Sequence, residues 1–113
     1  MDIKQLTEEM HRFVRSKGWY EKESKRPQTP RNLAISLSLE ASEILEHFQW
    51  REEAKDKQEL ASELADVTLY LLQLASVSGI DLEKAVLDKL KVNANREWDT
   101  DLSKVENQNS TDL

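Results

Sequence analysis

The chain has no cysteine. That excludes a disulfide framework, a thiolate zinc site and a cysteine nucleophile. Two glycines and two prolines are all that interrupt 113 residues, far too few for a turn-rich β protein, so a nearly all-helical domain is expected. No uninterrupted apolar run is long enough to span a bilayer, and the opening MDIKQLTEEM lacks the order of a signal peptide. A soluble, cytoplasmic protein is the expectation. Basic charge is also scarce: 16 Lys and Arg face 22 Asp and Glu, for a net charge of −6. A nucleic acid polymer needs a basic face and is disfavoured as a partner. A small anionic ligand stays open, because a bound divalent ion can reverse the local field.

What the sequence has in quantity is amphipathic helix. Ile3, Leu6, Met10, Phe13 and Val14 recur at helical spacing and predict a first helix that Gly18 stops. His11 within it reads as a packing or surface residue. The charged segment WYEKESKRPQTP follows, its two prolines excluding helix interior. Trp19 and Tyr20 there either anchor the loop or line a pocket. Thr29-Pro30 is a cap followed by a first-turn proline, opening a second helix. Asp56, with Glu59 three residues on, predicts a capped third helix. Gly79 ends it, and Asp81 caps a fourth over DLEKAVLDKLKVNANREW. A domain over residues 1–98 is expected, with a polar, flexible tail over 99–113.

The stretch from Leu39 to Leu72 carries the chemistry. It holds Glu40-x-x-Glu43 and Glu63-x-x-Asp66, each pair on one side of a helix. The polar break REEAKDK between them suits a turn between antiparallel helices. On a helical wheel Asn32, Ser36, Glu40, Glu43, His47 and Trp50 form one stripe, with Leu33, Leu37, Ala41, Ile44 and Phe48 on one flank and Ile35 and Leu39 on the other. Apolar groups on both flanks place that stripe inward or in a cleft. Glu63, Asp66 and Tyr70 share a stripe on the third helix, beside a band of Leu60, Leu64, Val67, Leu71 and Leu74. The band is wider than a lone hairpin needs, and a second subunit is expected to cover part of it.

Two carboxylates about 4 Å apart repel by roughly 4 kcal/mol at an effective dielectric near 20. Four such groups facing one space therefore call for a cation or for shifted pKa values. All-oxygen ligation suits Mg²⁺, with Mn²⁺ as a substitute. A di-iron bundle would need two Glu-x-x-His motifs, and neither His11 nor His47 stands three residues after a glutamate. A hard ion held by carboxylates most often serves phosphate chemistry. Lys89, Asn93 and Arg96 share a face of the fourth helix; the two cations either complete such a site or form a solvated surface.

The two acidic pairs, with the strings PRNLAISLSLEASEILEHFQW, ELADVTLYL and KLKVNANREW, resemble the MazG-like, all-α nucleoside triphosphate pyrophosphohydrolases, in particular their compact dCTP-pyrophosphatase-like branch. The resemblance runs from about Leu6 to Trp98. It implies a four-helix MazG-like bundle assembling as a homodimer or a dimer of dimers. It also implies Mg²⁺-dependent hydrolysis of a (deoxy)nucleoside triphosphate, dCTP or a related pyrimidine nucleotide, to the monophosphate and pyrophosphate by a metal-activated water. Glu40, Glu43, Glu63 and Asp66 would hold the metal. Lys89, Asn93 and Arg96 would hold phosphates or sugar, and Asn32 and Tyr70 would reach the nucleotide. Trp19 and Trp50 would line the base pocket. The chain departs from the resemblance at Gln28, where close relatives often carry a histidine, at Leu39, where many have a second glutamate, and at Trp98, where a Tyr-Pro often stands in the vertebrate-like branch. The alternatives are a non-catalytic helical oligomerisation or partner-binding module, and a dUTP or phosphoribosyl-ATP pyrophosphohydrolase on the same fold.

Overall fold

A computed structural model describes residues 1–96, and within them all regular structure is helical, with four helices and no strand. These are α1 (Ile3–Ser16), α2 (Pro30–Glu46), α3 (Lys57–Val77) and α4 (Leu82–Asn95). Each expected boundary has a physical cause. Thr29 caps α2 by accepting from the backbone N–H of Asn32, with Pro30 in the first turn. Asp56 caps α3 by accepting from the N–H groups of Gln58 and Glu59. Asp2, which the hydrophobic pattern did not single out, builds a full capping box with Gln5. Gly18 and Gly79 follow α1 and α3 at φ +71° and +70°, the left-handed conformation that stops a helix.

Residues through Leu82 form one compact unit. Within it α3 packs against α2 and, less extensively, against α1. The α2–α3 pair is antiparallel, since its cross-contacts run in opposite chain directions: Leu33 and Gln73 line one cavity, Glu40 feels the charge of Asp66, and His47 bonds Glu63. The connector between them is closed by Lys55 N–H donating to His47 C=O. The core is small and built from Met10, Val14, Leu33, Leu72 and Ala75.

The apolar band expected on α3 is not its buried face. Leu72, Gln73 and Ala75 are buried, whereas Leu64 and Leu71 stay 48% and 42% exposed. On α2, Leu33 is buried, while Ile35 and Leu39 on the far flank are exposed. Both helices thus keep apolar surface that this unit does not use. Averaged over all its faces, α3 reaches a mean hydropathy of 1.2 across 18 residues, which by length and composition alone suffices to cross a membrane. Counting uninterrupted runs in the sequence overlooks this, because Glu63 and Asp66 break the run without lowering the mean very far.

The second unit begins at Glu83 and contains most of α4. Lys84 and Asp88 pair across one turn at 2.6 Å, and Val86, Leu87, Leu90 and Val92 are exposed. The expected boundary at residue 98, Trp98 itself and the expected tail lie outside the described residues.

Candidate active site

α2 carries Glu40 and Glu43, and α3 carries Glu63 and Asp66, on the sides where the two helices meet. Glu40 is partly buried, and its carboxyl is held above the ordinary glutamate range. Burial is the largest cause. The charges of Glu43 and Asp66, a hydrogen bond shared with Glu43, and the charge of Glu63 add to it. Glu43, Glu63 and Asp66 therefore all lie within electrostatic reach of Glu40. Glu63 has a further partner: its Oε2 is 2.6 Å from Nε2 of His47, whose ring is 5% exposed. As the side chains lie, no three acids or histidines among the described residues stand in the tight group that ligates a metal. The other acids neighbour Glu40 without closing to ligation distance. Their chemistry still fits a hard cation, being all oxygen and mutually repelling.

Next to the acids lies a cavity of about 600 Å³, walled by α1, the loop after it, α2 and α3. Apolar groups such as Met10, Phe13 and Leu33 form much of its lining, with Trp19, Asn32, Tyr70 and Gln73 among them. Asp66 also lines it, so one metal-ligand candidate belongs both to the acid cluster and to the cavity wall. Trp19 packs edge-on against Phe13, with ring centroids 5.6 Å apart, and the Arg26 guanidinium lies 5.6 Å from the Trp19 ring. A largely apolar pocket with a few convergent polar groups, adjoining a cluster of acids, can seat a flat ring while an anionic chain reaches the acids through a cation.

The expected site residues divide accordingly. Glu40, Glu43, Glu63 and Asp66 are brought together. Trp19, Asn32 and Tyr70 join the cavity wall, although Asn32 spends one side-chain N–H on the Pro27 carbonyl at 3.0 Å. Trp50 does not join it. α2 ends at Glu46, so Trp50 leaves the helical stripe; it sits in the connector at φ +68° and is 94% exposed. Lys89 and Asn93 belong to α4, and Arg96 follows its last turn; Asn93 is buried and Lys89 exposed. Of the two options for the WY pair both hold: Trp19 lines the cavity and Tyr20 anchors the loop, its hydroxyl 2.6 Å from His11 Nδ1.

From the sequence alone Gln73 has no role, Gln28 stands out only as a departure from the resemblance, and His47 joins the acidic stripe without its bond to Glu63. Gln73 had a signal: it continues the Glu63, Asp66, Tyr70 stripe by one more turn, a lone amide inside LLQLA. His47 had its place on the stripe, four residues after Glu43, whereas the bond of Gln28 to Gln73 had no signal, its partners being 45 residues apart.

Comparison with known proteins places the chain in a family. The sequence signature of the MazG-like family matches residues 35–113. The dCTP pyrophosphatase 1 of Rattus norvegicus is 38% identical over 76 residues, covering 59% of this chain and 45% of that protein. Its Homo sapiens counterpart is 37% identical over 76 residues, with the same coverage of 59% and 45%. The chain thus spans about half the length of the curated relatives it matches. A pyrophosphatase from Archaeoglobus fulgidus, known from its crystal structure, superposes with a TM-score of 0.68 at 36% identity, covering 80% of this chain and 86% of that one.

Proposed function

The chain belongs to the MazG-like family, and from that premise we propose that it is a cytoplasmic, Mg²⁺-dependent nucleoside triphosphate pyrophosphohydrolase, with dCTP or a related pyrimidine nucleotide as substrate. The observation that carries this reading is the double membership of Asp66 in the acid cluster and in the cavity wall. A nucleotide with its base in the cavity would present its phosphates to the acids. The names of the relatives, dCTP pyrophosphatase and pyrophosphatase, support the same chemistry.

Glu40, Glu43, Glu63 and Asp66 would hold the cation. When bound, Mg²⁺ offsets phosphate charge and lowers the pKa of water. The chain's own contribution begins with Glu40, whose carboxyl, raised by burial and by its hydrogen bond with Glu43, would exchange a proton with the attacking water. Water attack on the α–β phosphoanhydride gives the monophosphate and pyrophosphate. Trp19 and Tyr70 offer aromatic surface to the base, and Lys25 and Arg26, also in the cavity lining, offer positive charge. Lys89, Asn93 and Arg96 are proposed to hold phosphate or sugar. Self-association as a dimer or tetramer would cover the unused apolar faces of α2 and α3 and give exposed Trp50 a surface to meet.

The test is Glu43→Gln. Pyrophosphate release from dCTP should fall to background while the far-ultraviolet circular dichroism stays unchanged. Retained turnover would rule out the acid cluster as the catalytic centre. Absence of turnover in the parent protein across a nucleotide panel would leave a non-catalytic helical module, and a preference for dUTP or phosphoribosyl-ATP would change the substrate on the same site.

A further inference from the structure

At the cavity wall a line of hydrogen bonds runs through five side chains, and its direction is fixed at one end. Gln28 Nε2 is 2.6 Å from the Arg26 backbone carbonyl, which can only accept. The Gln28 amide oxygen must then point the other way, and it lies 2.7 Å from the amide nitrogen of Gln73. That nitrogen also donates to the Tyr20 hydroxyl at 3.2 Å. Tyr20 is left to donate its own proton to His11 Nδ1 at 2.6 Å, and His11 Nε2–H donates to Ser76 Oγ at 2.7 Å. Burial keeps His11 neutral by lowering its pKa, with Arg15 adding to the effect, and burial keeps Tyr20 protonated. Both states agree with this direction. Flipping Gln73 would set its oxygen against the oxygen of Gln28, and flipping both would set Gln28 against the Arg26 carbonyl.

Both N–H groups of Gln73 are therefore spent on protein partners, and its Oε1 meets no donor among the described residues. Gln73 is only 3% exposed, yet it lines the cavity, and its oxygen is not one of the fully sealed side-chain atoms that lack a partner. A buried amide locked by neighbours on its donor side is a one-way reader: it accepts and cannot turn to donate.

We propose that Gln73 Oε1 is a specificity-determining acceptor that selects nucleobases bearing an exocyclic amine at the ring position facing it, cytosine and adenine, against bases with a carbonyl there, uracil, thymine and guanine. This rests on the cavity being the base subsite of the proposed pyrophosphohydrolase. An exocyclic amine donates to the oxygen; a carbonyl would place two acceptors face to face with no water to separate them. Gln28 and Tyr20 are positioning residues that fix the amide's orientation, and His11 holds Tyr20.

The experiment pairs turnover with binding. Initial rates on dCTP, dATP, dUTP, dTTP and dGTP are measured for the parent protein, for Gln73→Leu and for Tyr20→Phe. In parallel, calorimetry without metal compares dCMP with dUMP. The parent should favour amine-bearing bases by about tenfold or more, in kcat/KM and in affinity. Gln73→Leu should bring the ratio within about twofold of one, and Tyr20→Phe, which removes one hydroxyl, should reduce it by releasing the amide. Should Gln73→Leu fail to fold, Tyr20→Phe decides. Equal parent affinity for dCMP and dUMP, no binding of either, or a preference that survives in the folded variants overturns the inference. A dCMP preference in a protein that hydrolyses nothing would instead overturn the proposed hydrolase and leave the base reading standing.

Discussion

The imidazole Nε2 of His47, at the C-terminal end of α2, lies 2.6 Å from Oε2 of Glu63, in the second turn of α3. This bond ties the two helices together next to the acid cluster and occupies one oxygen of a metal-ligand candidate. His47 is 5% exposed, so its loss would leave Glu63 without that partner and open space in the packed connector. His47→Ala should cost about 1–3 kcal/mol in urea unfolding. If Glu63 ligates the cation, Mn²⁺ affinity measured by calorimetry should also fall, by about 10–100-fold, as happens when the group orienting a ligand is removed. Unchanged affinity with lowered stability would confine His47 to a packing role.

Glu40 sets the pH behaviour of the metal-free protein. Its carboxyl is held above the ordinary range by burial and by the acids around it. A raised acid binds its proton more tightly in the folded state than in the unfolded one. Stability therefore falls as pH rises from the ordinary glutamate range through the raised value, and the full penalty applies above it. Glu40→Gln removes the penalty, so this variant should melt above the parent at pH 7. The two melting temperatures should converge below about pH 4, where the parent is protonated in both states. Mg²⁺ should raise the parent's melting temperature at pH 7 and have less effect on Glu40→Gln.

Gly79 stands at φ +70° with nothing within 4 Å of where a Cβ would be. The cost of a side chain there is one of backbone alone. Gly79→Ala should lose about 1 kcal/mol in chemical denaturation, and Gly79→Asn less, since asparagine tolerates the left-handed region better. Equal losses would mean that side-chain contacts, not φ, control the end of α3.

How much was legible beforehand follows the range of the interactions. Thr29, Pro30, Asp56, Gly18 and Gly79 act on backbone within four residues, and the helix boundaries they predict agree with the fold. The acidic pairs were legible because a spacing of three fixes each pair on one helix, and the short connector between the helices brings the pairs together. Gln28 was noticed only as a departure from the family's histidine, while its bond to Gln73 spans 45 residues. No local pattern encodes that. Trp50 stands apart from the cavity for a different reason: α2 ends at Glu46, four residues before it, so the helical stripe does not extend that far. The expected band on α3 was sound as a pattern, but periodicity does not say whether the chain itself or another molecule covers a face.

That band supports the last prediction. Leu64 and Leu71, seven residues apart on α3, are 48% and 42% exposed, and Leu39 on α2 is 62% exposed. Exposed apolar surface of this kind needs a cover, and α3 is by length and composition alone also long and apolar enough to cross a membrane. The two covers are separable. Glu63 and Asp66 would stand within the hydrocarbon of a bilayer-crossing α3, where an aspartate near the centre costs about 2.5–3.5 kcal/mol, whereas a second copy can cover the leucines and leave the acids in their cleft. Light scattering on the eluting protein should thus give a mass of at least twice 13.1 kDa. The double variant Leu64→Lys, Leu71→Lys should shift it toward the single-chain mass, and neither form should float with neutral lipid vesicles. A monomeric parent that floats would assign the band to lipid.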